Sequence, residues 1–128
     1  MTQQTQAGTT AVIAVVDDDE SVRTALEGLL RSSGYQARTY CDALAFLDSA
    51  GPADTHCLIS DIQMPGMSGV ELHERLITMG LRIPTILITA FPEAAPRIGT
   101  TMPGLIACLP KPFSADQLLE CIENALRQ

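Results

Sequence analysis

Five side chains follow or close apolar runs in a way that could do chemistry. Asp17 and Asp18 come directly after Ala11–Val16, and Asp61 follows Cys57–Ser60. Thr89 closes the run from Pro84, and Lys111 stands one residue past Leu105–Leu109. Three carboxylates held a few ångströms apart repel, and one takes up a proton at neutral pH unless positive charge intervenes. A hard divalent cation answers that problem: Mg²⁺ accepts a few carboxylates, keeps several waters and completes its shell with phosphate oxygens. Lys111 offers a compact point charge for a phosphoryl oxygen, and Thr89 offers a hydroxyl donor. A carboxylate nucleophile, a metal, an ammonium and a hydroxyl together make a site for phosphoryl transfer, in which the protein positions groups and stabilises charge.

Each group also has a plain structural explanation. Asp17-Asp18-Asp19-Glu20 suits the N-terminus of a helix, Asp61 could cap the next helix, Thr89 could bond to backbone, and Lys111 could lie in solvent. Their joint placement after four apolar runs points instead to one site. That placement requires the runs to be strands of one parallel sheet, since sites in such sheets form at the carboxyl ends of strands.

The elements fit this requirement. Ala11–Val16 is a continuous aliphatic run, as in a strand buried on both faces. Val22, Ala25, Leu26, Leu29 and Leu30 recur at helical spacing until Gly34. Gln36–Tyr40 is a weaker second strand, and Asp42 caps a short helix that Gly51-Pro52 should end. Cys57–Ser60 is the third strand. Ser68 and Glu71 form a capping box opening a helix with Val70, His73, Leu76 and Ile77 inward or nearly so. Pro84–Thr89 and Leu105–Leu109 are the fourth and fifth strands. Ser114 and Gln117 cap the last helix, lined by Leu118, Cys121, Ile122, Ala125 and Leu126. Alternating strands and helices imply an α/β, doubly wound parallel sheet covered on both faces. Phe91–Gly104 carries Pro92, Pro96, Gly99, Pro103 and Gly104, so the fourth helix expected there is short, displaced or partly unwound.

The 128 residues fit one domain with a mostly aliphatic core, 46% being hydrophobic and only 4% aromatic. Residues 1–10 are polar and read as a disordered tail, leaving residues 11–128 as the domain. The net charge of -7 and the lack of a basic run argue against direct nucleic-acid binding by this chain. Cys41, Cys57, Cys108 and Cys121 show no metal-ligand spacing and read as reduced thiols. No signal-peptide pattern and no apolar run of the ~18 residues needed to span a membrane is present, so a cytoplasmic location is expected. His56 and His73 are assigned surface or packing roles.

Val15-Val16-Asp17-Asp18, Asp61 with Met64-Pro65-Gly66-Met67-Ser68-Gly69, Thr89-Ala90 and Lys111-Pro112-Phe113 resemble the receiver domain of two-component response regulators. The resemblance covers about residues 11–128. It implies a flavodoxin-like, five-stranded sheet in the order 2-1-3-4-5 with five surrounding helices. It implies that Asp61 accepts a phosphoryl group from a histidine kinase or histidine phosphotransfer protein and thereby switches interactions with a downstream effector. Mg²⁺ would be held by Asp18, Asp61 and the backbone carbonyl of Gln63, with Asp17 binding through water. Thr89 and Lys111 would contact the phosphoryl group, and the Lys111-Pro112 bond would be cis. Gln63 and Phe91 occupy positions that tune dephosphorylation in relatives. The chain departs from the family at Cys108, where an aromatic ring is usual, and in the broken fourth helix, so output is expected to work through rearrangement of residues 91–104. A receiver that had lost switching and only docks partners is a second reading.

A third reading is enzymatic. Val15-Val16-Asp17 with Asp19 and Ser21 also resembles the nucleophile motif of haloacid-dehalogenase-type phosphatases, with Asp17 as nucleophile and Asp19 as general acid. That reading leaves the Asp61 block unexplained and lacks an acidic pair placed to hold Mg²⁺ after Lys111.

Overall fold

A computed structural model describes residues 10–91 and 103–127. The strands are β1 (Val12–Val16), β2 (Gln36–Tyr40), β3 (Cys57–Asp61), β4 (Thr85–Thr89) and β5 (Leu105–Pro110). Among the described residues the helices are α1 (Glu20–Ser32), α2 (Ala43–Asp48), α3 (Gly51–Asp54), α4 (Gly69–Thr78) and α5 (Ala115–Leu126). The strands form one parallel sheet in the order β2-β1-β3-β4-β5. Apart from Thr10, the expected tail lies outside the described residues. So does the expected irregular helix, of whose segment only Phe91, Pro103 and Gly104 are described.

Two apolar layers clamp the sheet. Every residue of β1, β3 and β4 is buried, which is why β1 is aliphatic throughout and the middles of β3 and β4 are aliphatic rather than alternating. On one face Ile13, Val15, Ile59, Ile86 and Ile88 pack against Leu26 and Leu30 of α1 and Leu118 and Ile122 of α5. On the other face Ala14, Val16 and Leu58 pack against Phe46 of α2 and Leu72 and Leu76 of α4. The edge strand β2 buries only Ala37, which explains its weak signal in the sequence.

Local chemistry fixes the helix ends. Both expected capping boxes form: Ser68 with Glu71 and Ser114 with Gln117 each exchange two backbone-to-side-chain bonds. Asp42 takes the Ala45 amide at 2.7 Å and starts α2. Gly34 follows α1 at φ 93°, a left-handed conformation open to glycine at little cost. Two expectations need correction. Gly51-Pro52 does not end α2, which stops at Asp48; the pair opens the one-turn α3, whose first positions need no amide donor. Ile77 is not inward but 39% exposed, because the buried stripe of α4 runs through Leu72, His73 and Leu76.

The pairing of β4 with β5 slips between Thr85 and Ile86, so that Thr85 faces Leu105 while Ile86 faces Ala107. This irregularity lets Leu105 and Cys108, three residues apart, pack in one cluster with Ile62 and Leu87.

Candidate functional site at the strand ends

Beyond Val16 the chain leaves the sheet through Asp17, whose N–H donates to the Tyr40 carbonyl at 3.2 Å. Arg23 reaches back from α1 and donates to the Asp17 carbonyl at 2.7 Å. The Asp17 carboxylate faces inward, 1% exposed, and its Oδ1 accepts the Asp19 N–H at 2.9 Å. The four consecutive acids therefore divide their work. Asp19 caps α1 by accepting from Ser21 and Val22, Glu20 occupies the first turn, and Asp17 and Asp18 are left for the sheet end.

Asp61, the last residue of β3, is 7% exposed. The turn after it must fold back tightly so that α4 can start against the strand end. Gly69 N–H donates to the Ile62 carbonyl at 3.0 Å, and a Cβ at Gly69 would collide with the Asp61 carbonyl oxygen. Only glycine fits there. Ser60 is small for a related reason, since its hydroxyl donates to the same Asp61 carbonyl at 3.0 Å.

Carboxylate oxygens of Asp17, Asp18 and Asp61 all lie within 4.8 Å of one another. Lys111 reaches this cluster from the end of β5. Its N–H donates to the Thr89 carbonyl at 2.7 Å, and its bond to Pro112 is cis, as expected. Its Nζ stands 3.5 Å from Asp61 Oδ2 and 3.8 Å from Asp17 Oδ2. Burial is the main cause that pushes the pKa of both Asp17 and Asp61 above the ordinary carboxylate value. Lys111 pulls both back down, as do the amides of Asp19 and Gln63, while Asp18 pushes both up. One ammonium shared by three acids leaves negative charge unbalanced. Asp17 Oδ2 and Asp61 Oδ1 are moreover buried without a hydrogen-bond partner. Orphaned acceptors of this kind are costly in an interior, and they give a hard cation two ready ligand atoms beside exposed Asp18.

Asp17, Asp18, Asp61 and Lys111 are thus brought together as the sequence implied. Thr89 lies in the same region but its hydroxyl is turned elsewhere. It donates to Gln63 Oε1 at 3.0 Å and accepts the Phe91 N–H at 2.8 Å. The family resemblance places Gln63 at a position that tunes dephosphorylation and its backbone carbonyl on the metal, and implies no contact between its side chain and Thr89. No spacing pattern reports a rotamer, so the bond to Thr89 was not legible in the sequence. The histidines sit at the opposite, amino end of the strands. His56 Nδ1 accepts the Val12 N–H at 2.9 Å, and buried His73 bonds Thr85 Oγ1 at 2.9 Å and the Pro103 carbonyl at 2.7 Å. Both have packing roles. Cys108 is half-buried beside Ile62, Leu87 and Leu105, where burial pushes its thiol pKa up.

Comparison with known proteins assigns the family. The family model for the response regulator receiver domain matches residues 13–123. The chain belongs to that family. This receiver domain is 37% identical over 117 residues to the response regulator protein TmoT of Ectopseudomonas mendocina, covering 91% of this chain and 53% of TmoT. Among solved structures, response regulator StyR superposes with a TM-score of 0.85 at 41% identity, covering 93% of this chain and 60% of StyR. Response regulator TrrA of Thermotoga maritima, solved in complex with Mg²⁺ and BeF, gives a TM-score of 0.79 at 26% identity, covering 91% of this chain and all of TrrA. The receiver domain spans about half the length of the curated relatives it matches. It is a signalling domain of the two-component type. The phosphatase reading fails on this family match and on Asp19, whose carboxylate is spent on capping α1. Among the described residues no helix is long and apolar enough to cross a membrane.

Proposed function

We propose that this receiver domain, residues 11–128, accepts a phosphoryl group on Asp61 from a phosphohistidine of a partner histidine kinase or histidine phosphotransfer protein. The observation that carries the reading is the Lys111 ammonium set 3.5 Å from Asp61 and 3.8 Å from Asp17, beside two carboxylate oxygens that are buried without partners. Those orphaned atoms fit a hard divalent cation, with Asp18, Asp61 and the Gln63 carbonyl as ligands and Asp17 binding through water. Mg²⁺ suits this donor set and supplies charge stabilisation for the transferring phosphoryl oxygens.

In the transfer, a carboxylate oxygen of Asp61 forms the new P–O bond as the P–N bond of the donor breaks. The electron pair of that bond leaves on the donor imidazole. Lys111 stays in place and exchanges its pairing with Asp61 for one with a phosphoryl oxygen. Thr89 donates its hydroxyl to another. Hydrolysis reverses the occupancy: water attacks phosphorus, the P–O bond to Asp61 breaks and inorganic phosphate departs. Gln63 and Phe91 border the route of that water. The chain catalyses only its own phosphorylation and dephosphorylation, and occupancy of Asp61 switches its affinity for a downstream effector.

Donors charged from ATP place the exchange in the cytoplasm. The acidic balance of the chain supports protein rather than nucleic-acid partners for this domain. Phosphoramidate, a small donor with a P–N bond, tests the reading in the presence of Mg²⁺. The expected product is a hydroxylamine-sensitive acyl phosphate that is absent from Asp61→Asn. Labelling that survives in Asp61→Asn contradicts the assignment.

A further inference from the structure

Gln63 stands two residues past Asp61, and its side chain reaches Thr89. Its side-chain Oε1 takes the Thr89 hydroxyl at 3.0 Å, and the Thr89 oxygen is in turn the acceptor for Phe91 N–H at 2.8 Å. A threonine hydroxyl has one proton to donate. While Gln63 receives it, none is left for a phosphoryl oxygen.

We propose that Gln63 is a positioning residue whose carboxamide latches Thr89 in the resting state. The latch must open before Thr89 can serve phosphorylated Asp61. This inference rests on the reading of Asp61 as acceptor and adds to it a brake built from the chain's own side chains. The exchange is downhill once a phosphoryl group is present, because a hydrogen bond to an ionised acceptor is about twice as strong as a neutral one. The resting bond nevertheless counts against the phosphorylated state, since it is lost on the way. Gln63 is exposed, so its side chain can be removed without opening the core.

The test is an equilibrium titration with BeF₃⁻ and Mg²⁺, which mimics the acyl phosphate and avoids hydrolysis. It is followed by amide NMR in the parent, Gln63→Ala, Thr89→Ala, Thr89→Ser and the two double variants with Gln63→Ala. Gln63→Ala should bind about fivefold more tightly than the parent, about 1 kcal/mol at 1.4 kcal/mol per tenfold. The gain should vanish when Thr89 is alanine and persist when it is serine. Equal or weaker binding by Gln63→Ala, or the same gain with Thr89→Ala, overturns the latch alone. A parent that fails to bind BeF₃⁻ in Mg²⁺ overturns the acceptor reading and the latch with it.

Discussion

Lys111 Nζ stands 3.5 Å from Asp61 Oδ2 at the ends of β5 and β3, with β4 between the two strands. The pair exists because the parallel order of β3, β4 and β5 sets the chain's only lysine beside a buried acid, its backbone held on Thr89. Its charge also reaches Asp17, so removing it leaves two buried carboxylates facing each other. In Lys111→Met both folded-state pKa values, already above the unfolded value of 3.8, should rise further. A raised carboxylate favours the fold below its unfolded pKa and loses that contribution as pH rises through the folded pKa. The variant should therefore match the parent in acid and fall below it as pH rises through and past the parent's folded-state pKa values. Lys111 is partly exposed, so the loss at neutral pH should be roughly 1–2 kcal/mol, less than the ~3–5 kcal/mol of a fully buried broken pair. Metal-free denaturant titrations across pH measure this, and a pH-independent loss contradicts it.

The same linkage gives acid-to-amide changes the opposite sign. Asp17→Asn should raise the metal-free melting temperature at pH 7 by about 3–5 °C, roughly 1 kcal/mol at this chain length. The gain should shrink in acid, where the parent carboxylate is protonated. Mg²⁺ at a hundred times its Kd should stabilise the parent by about 2.7 kcal/mol, and Asp18→Asn should remove most of that response. Thermal melts with and without Mg²⁺ check both statements.

Gly69→Ala tests the close approach of α4 to the end of β3. The added Cβ meets the Asp61 carbonyl oxygen, a backbone atom that cannot step aside alone. A cost of about 2 kcal/mol is expected, as for other overpacked positions, together with displacement of Asp61 seen in its amide chemical shift. An unchanged melting temperature would show that the turn is looser than described.

The alternating elements, their order and the placing of the acids were legible because apolar runs, capping boxes and strand-end polar groups are local signals. Asp17, Asp18, Asp61 and Lys111 could be assembled from them once the sheet was parallel. The rest depended on geometry that pattern does not carry. Gly51-Pro52 reads as a helix stop, yet Pro52 serves equally well in a first turn. Ile77 has helical spacing, but the buried stripe of α4 turns past it to His73. The bond between Gln63 and Thr89 was invisible because it depends on one rotamer meeting the Thr89 hydroxyl across a loop.

His73 supports the opposite end of the sheet and should be separable from the acidic site. It is 2% exposed and bonds both Thr85 Oγ1 and the Pro103 carbonyl. His73→Leu removes a partner from buried Thr85 Oγ1, which keeps its bond to the Ile83 carbonyl, and from the carbonyl of exposed Pro103, a loss of roughly 1–3 kcal/mol. Mg²⁺ affinity, read by NMR under native conditions, should stay within about twofold of the parent, since free energies of distant sites add. Parallel losses of stability and Mg²⁺ binding would contradict that separation.

Asp61 as acceptor, among acids that need a metal before it reacts, makes one plain chemical prediction. Intact-mass measurement after incubation with acetyl phosphate tests it most directly. The expected result is a gain of one phosphoryl mass that appears with Mg²⁺, disappears with a chelator and is absent from Asp61→Asn. No gain in the parent with Mg²⁺ present, or an undiminished gain in Asp61→Asn, would contradict it.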